Sequence, residues 1–302
     1  QYMGVYEIRD RDEAVSIMVD KANIAADTIK NNYDCCVAYY DEHLLEISIE
    51  QRRLLGEFEP ALQNDEFVMY LQPQVKRDGA AKGAEALVRW VHPSRGILTP
   101  YAFIDILENA GLIYKLDLYI WEKAAQKLAE WKEKGYGSYH ISVNISTKDF
   151  YIIDIYETFT GLINKYGIAA SNMHLEITET TLMTDFEKNM NIIHKLQDVG
   201  FRVEIDDFGS GYSSLNMLKD ISADVLKIDM GFLRKSENEV KGQDILESII
   251  TLAGKIGMDV ITEGVETKKQ LDMLTMMGCH EFQGYYFSKP VPVSEFEEKY
   301  LV

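Results

Sequence analysis

The sequence predicts an α/β fold, a (β/α)8 TIM-type barrel that follows a small N-terminal α/β appendage. From Glu66 onward, short apolar runs typical of buried strands alternate with amphipathic stretches typical of helices. Polar residues stand at or just past the ends of these runs, where barrels of this type build their active sites. The 302 residues suffice for one barrel of about 250 residues and an appendage.

The appendage comprises roughly the first 65 residues. Apolar residues recur at helical spacing over 15–29, residues 36–40 form a strand candidate, and residues 44–62 carry a second helical pattern that is interrupted near Pro60. Because this segment is too small for an independent core, we expect an appendage or a fragment.

Eight strand candidates follow the appendage. They centre on Val68, Leu87, Val143, Leu175, Val203, Leu226, Val260 and Gln283. Helical stretches such as 119–132 and 185–199 lie between them, so we expect helical connections around a barrel. The alternative is an open doubly wound sheet, but that fold normally has a glycine-rich phosphate loop after its first strand, and this sequence has none.

Charge and composition restrict the function. The 49 acidic and 31 basic residues give a net charge of −18, which disfavours binding to long nucleic acid. A small anionic ligand stays possible if metal ions reverse the local charge. No apolar stretch approaches the roughly 20 residues that span a membrane. We therefore expect a soluble, cytoplasmic piece, whose parent protein could carry a membrane anchor elsewhere.

Cysteine and histidine usage favours an oxygen-rich metal site. Cys35, Cys36 and Cys279 are an odd number without a Cys-x-x-Cys spacing, so we expect neither a disulfide framework nor a zinc knuckle. The six histidines are dispersed, which disfavours soft-metal chemistry. Mg²⁺ or Mn²⁺ is the better interpretation.

The candidate metal site is a set of polar residues at the ends of apolar runs. Its members are Glu85, Asn144, Glu176, Asp206, Asp207, Lys227 and Glu263. The glycine-rich turn 208–212 would let Asp206 and Asp207 bend toward one site, and bridged metals would relieve their repulsion. An Asp-Asp-x-Gly run alone is more often a helix cap and turn. The agreement among several strand ends favours the metal interpretation.

The other candidates also have structural interpretations. Glu85 and Arg89 face one side of a strand, either as a buried ion pair or as a metal ligand and a phosphate clamp. Asn144 could satisfy loop backbone or ligate a hard metal. Lys227 in a buried strand needs a partner, for which Asp229 or the Asp pair would serve.

Three glutamates and one glutamine allow similar alternatives. Glu176 and Glu179, taken singly, would most often be solvated, and Glu266 could be a helix cap. Gln283 closes the last strand with an amide that could contact a polar ligand edge.

The complete motif series resembles the EAL family of cyclic di-GMP phosphodiesterases. The matching runs are 85–89 (EALVR), 143–146 (VNIS), 175–179 (LEITE), 206–215 (DDFGSGYSSL), 226–229 (LKID), 263–266 (EGVE) and 283–285 (QGY). They occur in order over about residues 60–302. The resemblance implies hydrolysis of cyclic di-GMP to linear pGpG with two Mg²⁺ or Mn²⁺ ions, on a barrel that usually forms a homodimer.

The resemblance also implies a role for each site residue. One ion would be held by Glu85, Asn144, Glu176 and Asp206. Asp206 would bridge to a second ion, which would also be held by Asp207 and, directly or through water, by Glu263. Lys227 would orient the attacking water, and Glu263 is the other candidate for proton transfer.

The implied substrate contacts and loop contact lie outside the metal ligands. The substrate contacts would be Gln72, Arg89, Asp229 and Gln283. Glu179 would hold the loop after Asp207 in shape and so couple the site to the dimer interface.

The N-terminal stretch resembles the last strands and helix of a GGDEF domain, on residues 4–8, the helix through Met18 and Ala22, and residues 39–41. Its signature loop is absent from this sequence, so we expect no cyclase activity. The implied domains are a GGDEF-like remnant at 1–50, a linker helix at 51–65 and an EAL barrel at 66–302, within a piece of a longer protein.

Two other functions stay open. The chain could be a catalytically silent cyclic di-GMP receptor or regulatory module, although such members usually lack a metal ligand and this sequence lacks none. It could also be a protein-interaction platform with a vestigial site. Tight binding without cleavage would favour the receptor, and undetectable nucleotide affinity would favour the platform.

Overall fold

The computed structural model describes residues 2–29, 36–208, 221–229 and 239–301. The chain divides into two compact units, Gln1–Asn64 and Asp65–Val302. The predicted domain boundary at residue 50 falls inside a single helix, Glu42–Gln63. The assignment of these segments to named domains stays a prediction.

The N-terminal unit contains a parallel strand pair joined through a helix. Its elements are β1 (Met3–Val5), α1 (Val15–Asp27), β2 (Val37–Tyr39) and α2 (Glu42–Gln63). Gly4 lets α1 approach β1 closely, because a Cβ at this position would lie 1.8 Å from the carbonyl oxygen of Ala22. Only glycine fits where two backbones come this close.

The predicted interruption near Pro60 is wrong. The helix α2 begins at the cap residue Asp41, whose side chain accepts a hydrogen bond from the Leu44 amide at 3.0 Å, and it continues through Pro60. Pro60 lies in the last turn and lacks only its own N–H. Its carbonyl still accepts a hydrogen bond from the Asn64 amide at 3.0 Å, so the helix ends at Gln63.

Ten strands and nine helices are described in the second unit. The strands are β3 (Phe67–Lys76), β4 (Ala81–His92), β5 (Gly96–Leu98), β6 (His140–Asn144), β7 (Met173–Thr178), β8 (Arg202–Phe208), β9 (Val225–Asp229), β10 (Asp259–Glu263), β11 (Glu281–Phe282) and β12 (Val291–Pro292). The helices are α3 (Ile104–Ala110), α4 (Ile113–Glu133), α5 (Asp149–Ile152), α6 (Ile155–Tyr166), α7 (Glu179–Thr184), α8 (Phe186–Val199), α9 (Glu239–Lys255), α10 (Lys268–Met276) and α11 (Val293–Tyr300).

Eight of these strands close a barrel in the order β3, β4, β6, β7, β8, β9, β10, β11 and back to β3. This confirms the predicted TIM-type fold. The predicted helical connection between the first two strands is wrong, because β3 runs antiparallel to both of its neighbours and joins β4 through a tight turn. Gly79, at φ +85°, makes that turn after Asp78, and an Asp-Gly pair is a hairpin signal.

Helix α4 connects the apolar core to the end of β6. Leu116, Ile120, Ala124 and Leu128 recur every four residues along one buried face of the helix. Trp121, also buried, donates a hydrogen bond from Nε1 to the carbonyl oxygen of Asn144 at 2.9 Å. Core packing therefore positions the last residue of β6, which is one of the predicted metal ligands.

None of the described helices is long and apolar enough to cross a membrane. Of the three cysteines, Cys36 is exposed and Cys279 is buried, and both are free thiols. Cys35 lies outside the described residues.

Candidate active site

The ammonium group of Lys227 lies at the centre of a carboxylate cluster inside the barrel. Its Nζ is 2.7 Å from Glu263 Oε1, 2.8 Å from Glu176 Oε1, 3.4 Å from Glu85 Oε2 and 3.5 Å from Asp206 Oδ1. These five residues come from β4, β7, β8, β9 and β10. We call them the carboxylate layer. The structure thus brings together side chains that are up to 178 positions apart in the sequence.

Amide side chains border the carboxylate layer. Asn144 donates from Nδ2 to Glu85 Oε1 at 3.2 Å. Gln283 donates from Nε2 to Glu85 Oε2 at 2.5 Å and to Gln72 Oε1 at 3.3 Å. Gln72 in turn donates to the carbonyl oxygen of Ser288 at 3.3 Å. Glu85 is therefore held by two amides and one ammonium group, which fixes its orientation.

Asp206 and Asp207 lie in a bulge of β8, and this is why adjacent carboxylates can serve one site. On β9, Leu226 pairs with Ile205 and Ile228 pairs with Phe208, so two residues of β8 stand opposite one residue, Lys227. Asp207 has φ +56°, a left-handed conformation that is strained for a residue other than glycine. The sequence predicted that the following glycine-rich turn would bend the chain, whereas the bend begins one step earlier.

The rest of that turn falls within residues 209–220, which lie outside the described residues. Glu179, which the sequence predicts to stabilise this loop, is the first residue of α7 and directly follows β7. Its predicted loop contact therefore stays a prediction.

Burial and neighbouring charges shift the pKa values of Glu176, Glu263 and Lys227. Burial, together with the charge of Glu85, raises the pKa of Glu176 well above its usual range. Burial raises the pKa of Glu263 to about 8, even though Lys227 opposes this shift. Burial alone would lower the pKa of Lys227, but the surrounding carboxylates raise it. The single ammonium therefore does not balance the carboxylates around it.

The excess of negative charge also affects the pKa of Asp207. Partial burial and then the charges of Asp206 and Asp229 raise its pKa. Among the described residues, Oε2 of Glu176 is buried and accepts no hydrogen bond. An excess of negative charge with an unsatisfied buried oxygen fits a site for divalent cations with oxygen ligands. The chemistry of this donor set favours Mg²⁺ or Mn²⁺ over soft metals.

A cavity of about 380 Å³ opens beside the carboxylate layer. Its lining contains three of the four predicted substrate-contacting residues, and the full lining is Gln72, Glu85, Leu87, Asp229, Glu263, Gly264, Glu266, Gln283, Gly284 and Tyr285. Arg89, the fourth, lies nearby with its guanidinium 5.5 Å from the Tyr70 ring centre, and it donates to the Val88 carbonyl oxygen. Burial lowers the pKa of Arg89.

Sequence reasoning missed the apolar part of this cavity lining. Leu87 and the 59% exposed Tyr285 offer nonpolar surface next to polar groups. The sequence placed Tyr285 only at the close of the last strand. An aromatic residue directly after the predicted ligand-contacting Gln283 was the available signal, because nucleobases stack on exposed aromatic rings.

A second polar cluster, which the sequence did not predict, lies nearer the N-terminal ends of the strands. It contains His140 of β6, His174 of β7 and Glu204 of β8, all buried, with one potential ligand atom from each within 4.8 Å of the others. Together with Gln74 of β3, we call it the histidine layer. The sequence did not reveal this cluster, because its histidines are far apart along the chain and only the strand register brings them together.

Comparison with known proteins identifies the family of this arrangement. A family profile described as EAL domain matches residues 56–290. The bifunctional diguanylate cyclase/cyclic di-GMP phosphodiesterase MucR of Pseudomonas aeruginosa is 32% identical over 272 residues, which are 90% of this chain and 39% of MucR. The cyclic di-GMP phosphodiesterase PdeR of Escherichia coli is 33% identical over 240 residues, which are 80% of this chain and 36% of PdeR. The chain therefore spans about two-fifths of these relatives.

Solved structures agree with the sequence relatives. The structure of the MucR phosphodiesterase in complex with c-di-GMP matches this chain with a TM-score of 0.76 at 33% sequence identity. The match covers 81% of this chain and 99% of that one. An EAL domain protein from Listeria monocytogenes gives a TM-score of 0.68 at 30% identity, covering 82% of this chain and 97% of that one.

Proposed function

The chain belongs to the EAL domain family, and from this premise we propose that it hydrolyses cyclic di-GMP to linear pGpG by a two-metal mechanism. The observation that carries the proposal is the carboxylate layer, in which four carboxylates surround one buried lysine at the C-terminal mouth of the barrel. Relatives that are named cyclic di-GMP phosphodiesterases support it.

Two groups of residues would hold the ions. Glu85, Asn144, Glu176 and Asp206 would bind the first ion, and Asp206, Asp207 and Glu263 would bind the second. The bulge of β8 favours this division, because it gives two adjacent carboxylates to one site. When bound, the ions would neutralise the phosphoryl oxygens and lower the pKa of water. They would also supply the positive charge that Lys227 alone does not.

Lys227 and Glu263 are the residues that would handle the attacking water. The Lys227 ammonium lies 2.7 Å from Glu263 Oε1, so a donor and a proton acceptor stand side by side. Lys227 would hold the water in line with the phosphorus atom, and Glu263 would accept its proton. Glu85, which accepts hydrogen bonds from Asn144 and Gln283, would be a ligand of the first ion.

The substrate would occupy the cavity beside these groups. The amides of Gln72 and Gln283 and the carboxylate of Asp229 offer hydrogen-bonding groups for a guanine edge or a ribose. Arg89 would contact a phosphate, because its guanidinium can bind phosphate oxygens in a bidentate way. Tyr285 would add a stacking surface for one base.

The test is incubation of the purified chain with cyclic di-GMP and Mg²⁺ or Mn²⁺, beside a Glu85→Ala variant, with chromatographic identification of the products. We expect pGpG from the parent chain, none from the variant, and none from the parent chain in chelator. Intact nucleotide in all samples would overturn the proposal. A binding titration would then separate a silent receptor, which binds tightly, from an interaction platform, which does not bind.

We also propose that the N-terminal unit is the C-terminal part of a GGDEF-like domain. Its parallel strands, joined through α1, fit the end of an α/β sheet.

We further propose that the chain forms a homodimer, which light scattering of the purified chain with and without nucleotide would test. A monomer at all concentrations that support hydrolysis would contradict it.

A further inference from the structure

The histidine layer is a built polar cluster that the proposed hydrolysis does not use. His140 is the first residue of β6, His174 the second of β7 and Glu204 the third of β8, so all three lie toward the N-terminal ends of their strands. The carboxylate layer begins two residues further along β7 and β8, at Glu176 and Asp206. Two residues of a strand separate the layers by about 7 Å.

The three side chains are close together and shielded from solvent. The imidazole rings of His140 and His174 stack with centres 3.8 Å apart. Nδ1 of His174 lies 2.6 Å from Glu204 Oε1, in a buried hydrogen bond. Oε2 of Glu204 is buried and accepts no hydrogen bond from any described residue. An unsatisfied carboxylate oxygen beside two imidazoles is a typical start of a metal site.

Neighbouring residues orient His140 within the cluster. Its Nε2 forms a 2.7 Å hydrogen bond with Gln74 Oε1, so its other ring nitrogen remains for a ligand. Metal-binding histidines usually have such a partner on the second nitrogen. Gly83 makes room for this ring, because a Cβ there would lie 2.4 Å from the imidazole.

A separate cavity gives ions access to these residues. It has a volume of about 490 Å³, and His140, His174 and Glu204 are part of its lining. Two cations, Lys82 and Arg202, also line it, but each has an acidic partner. Lys82 pairs with Glu281, and Arg202 pairs with Asp259 at 2.6 Å. Their charges are therefore balanced and do not exclude a divalent ion.

We propose that the histidine layer binds one divalent transition-metal ion of the Zn²⁺ class through His140, His174 and Glu204. Two imidazoles and one carboxylate are a ligand set that zinc accepts, with the fourth position open toward the cavity. Binding replaces the proton between His174 and Glu204 and draws the ligand atoms closer together. Mg²⁺ is disfavoured here, because it requires six ligands of mainly oxygen type.

The test uses the metal-stripped chain, titrated with ZnCl₂ by calorimetry in excess Mg²⁺. We expect one tight Zn²⁺ equivalent for the parent chain. His174→Gln is expected to weaken this binding by more than about 10-fold, the loss typical even for a residue that only supports a ligand. Equal Zn²⁺ affinity of the parent chain and His174→Gln would overturn the proposal, as would no binding to the parent chain.

Glu176→Gln is the matched control, because it changes the carboxylate layer two residues away on the same strand. It is expected to keep the Zn²⁺ equivalent that His174→Gln loses. Loss of that equivalent in Glu176→Gln alone would place the ion in the carboxylate layer and contradict the proposal.

A Co²⁺ spectrum of the parent chain makes the test independent of how the variants fold. A four-coordinate site with nitrogen ligands gives strong visible absorption, whereas six oxygen ligands give weak absorption. We expect strong absorption that ZnCl₂ removes and excess MgCl₂ does not. Weak absorption that Mg²⁺ removes would show that only the oxygen-rich site binds Co²⁺, and would overturn the proposal.

Discussion

The carboxylate layer and the histidine layer share strands β7 and β8 but have different chemistry. Strand β7 contributes His174 to one and Glu176 to the other, and β8 contributes Glu204 and Asp206. In the histidine layer, Glu204 has a direct imidazole partner at 2.6 Å. In the carboxylate layer, Glu176 has Lys227, which three other carboxylates share.

The difference shows how a barrel separates two kinds of site within one interior. Side chains two residues apart point to the same face of a strand, so β7 and β8 each add one residue to each layer. The carboxylate layer has an excess of negative charge and a cavity at the strand ends, which favours the binding of hard cations. The histidine layer instead combines one carboxylate with two imidazoles, a set of donors that zinc accepts. The predictions below test this separation.

The largest expected effect is on hydrolysis. Glu176→Gln is expected to lower the rate by about 100-fold to 1,000-fold, because a proposed ligand of the first metal ion loses its charge. Glu204→Gln, which changes the histidine layer on the neighbouring strand β8, is expected to cause a loss at least ten times smaller. Steady-state kinetics with Mg²⁺ for both variants measures this. Equal losses would mean that the two layers act as one site.

The next effect concerns stability in chelator. Lys227→Met is expected to lower the free energy of unfolding by about 3–5 kcal/mol, because a buried charge network loses its only cation. Added Mg²⁺ is expected to restore part of this loss by binding the folded state. Urea unfolding with chelator and with Mg²⁺ checks both points. Unchanged stability in chelator would show that the ammonium does not offset the carboxylates.

A smaller effect is expected from Gly83→Ala. The new Cβ would lie 2.4 Å from the His140 ring, so the ring must move, at an expected loss of about 1–3 kcal/mol. Gly161→Ala in α6 is the matched control, because a Cβ there meets no atom within 4 Å. It is expected to stabilise the helix by up to about 1 kcal/mol. Thermal unfolding of both variants measures the difference between their stability changes. A Gly83→Ala variant as stable as the parent chain would contradict the prediction.

An effect of about the same size on stability is pH dependent and concerns residues outside both layers. Burial raises the pKa of Asp149 from 3.8 to about 6, and burial also raises the pKa of Asp117, which is hydrogen-bonded to Asp149, well above its usual range. Because the fold favours the protonated forms, their contribution is full below about pH 4 and is lost as the pH rises through about 6. We expect the unfolding free energy to fall by about 1–3 kcal/mol over this range.

Asp117→Asn supplies the control for that prediction. An asparagine side chain can donate a hydrogen bond to Asp149 but does not titrate. The unfolding free energy should therefore depend less on pH between about 4 and 6. Denaturant unfolding at several pH values, in chelator, checks this. An identical pH profile for the variant and the parent chain would assign the dependence to other groups.

Much of the candidate site could be predicted from strand ends. Glu85, Lys227 and Glu263 stand within or just after apolar runs, and parallel strands bring such positions to one mouth of a barrel. The sequence also predicted the eight strands, since alternating patterns depend on local hydrophobicity. It did not predict that β3 runs antiparallel, although the Asp78-Gly79 pair was a local signal for a hairpin.

Other features depend on tertiary structure. The bulge that places Asp206 and Asp207 opposite Lys227 is a property of strand pairing. The residue types in β8 do not predict this bulge. The partners of Lys227 were predicted as Asp229 or the Asp pair, whereas its nearest carboxylates are Glu263 and Glu176. The choice among several acidic residues follows from distances that sequence spacing does not contain.

The sequence by itself determined the family, the order of the barrel strands and the residue types at their ends, because these follow from local pattern and motif. Only the tertiary structure decided the histidine layer. His140, His174 and Glu204 are separated by 34 and 30 positions, and they meet because β6, β7 and β8 pair in one register. A shift of one residue in that register would turn their side chains to opposite faces of the sheet.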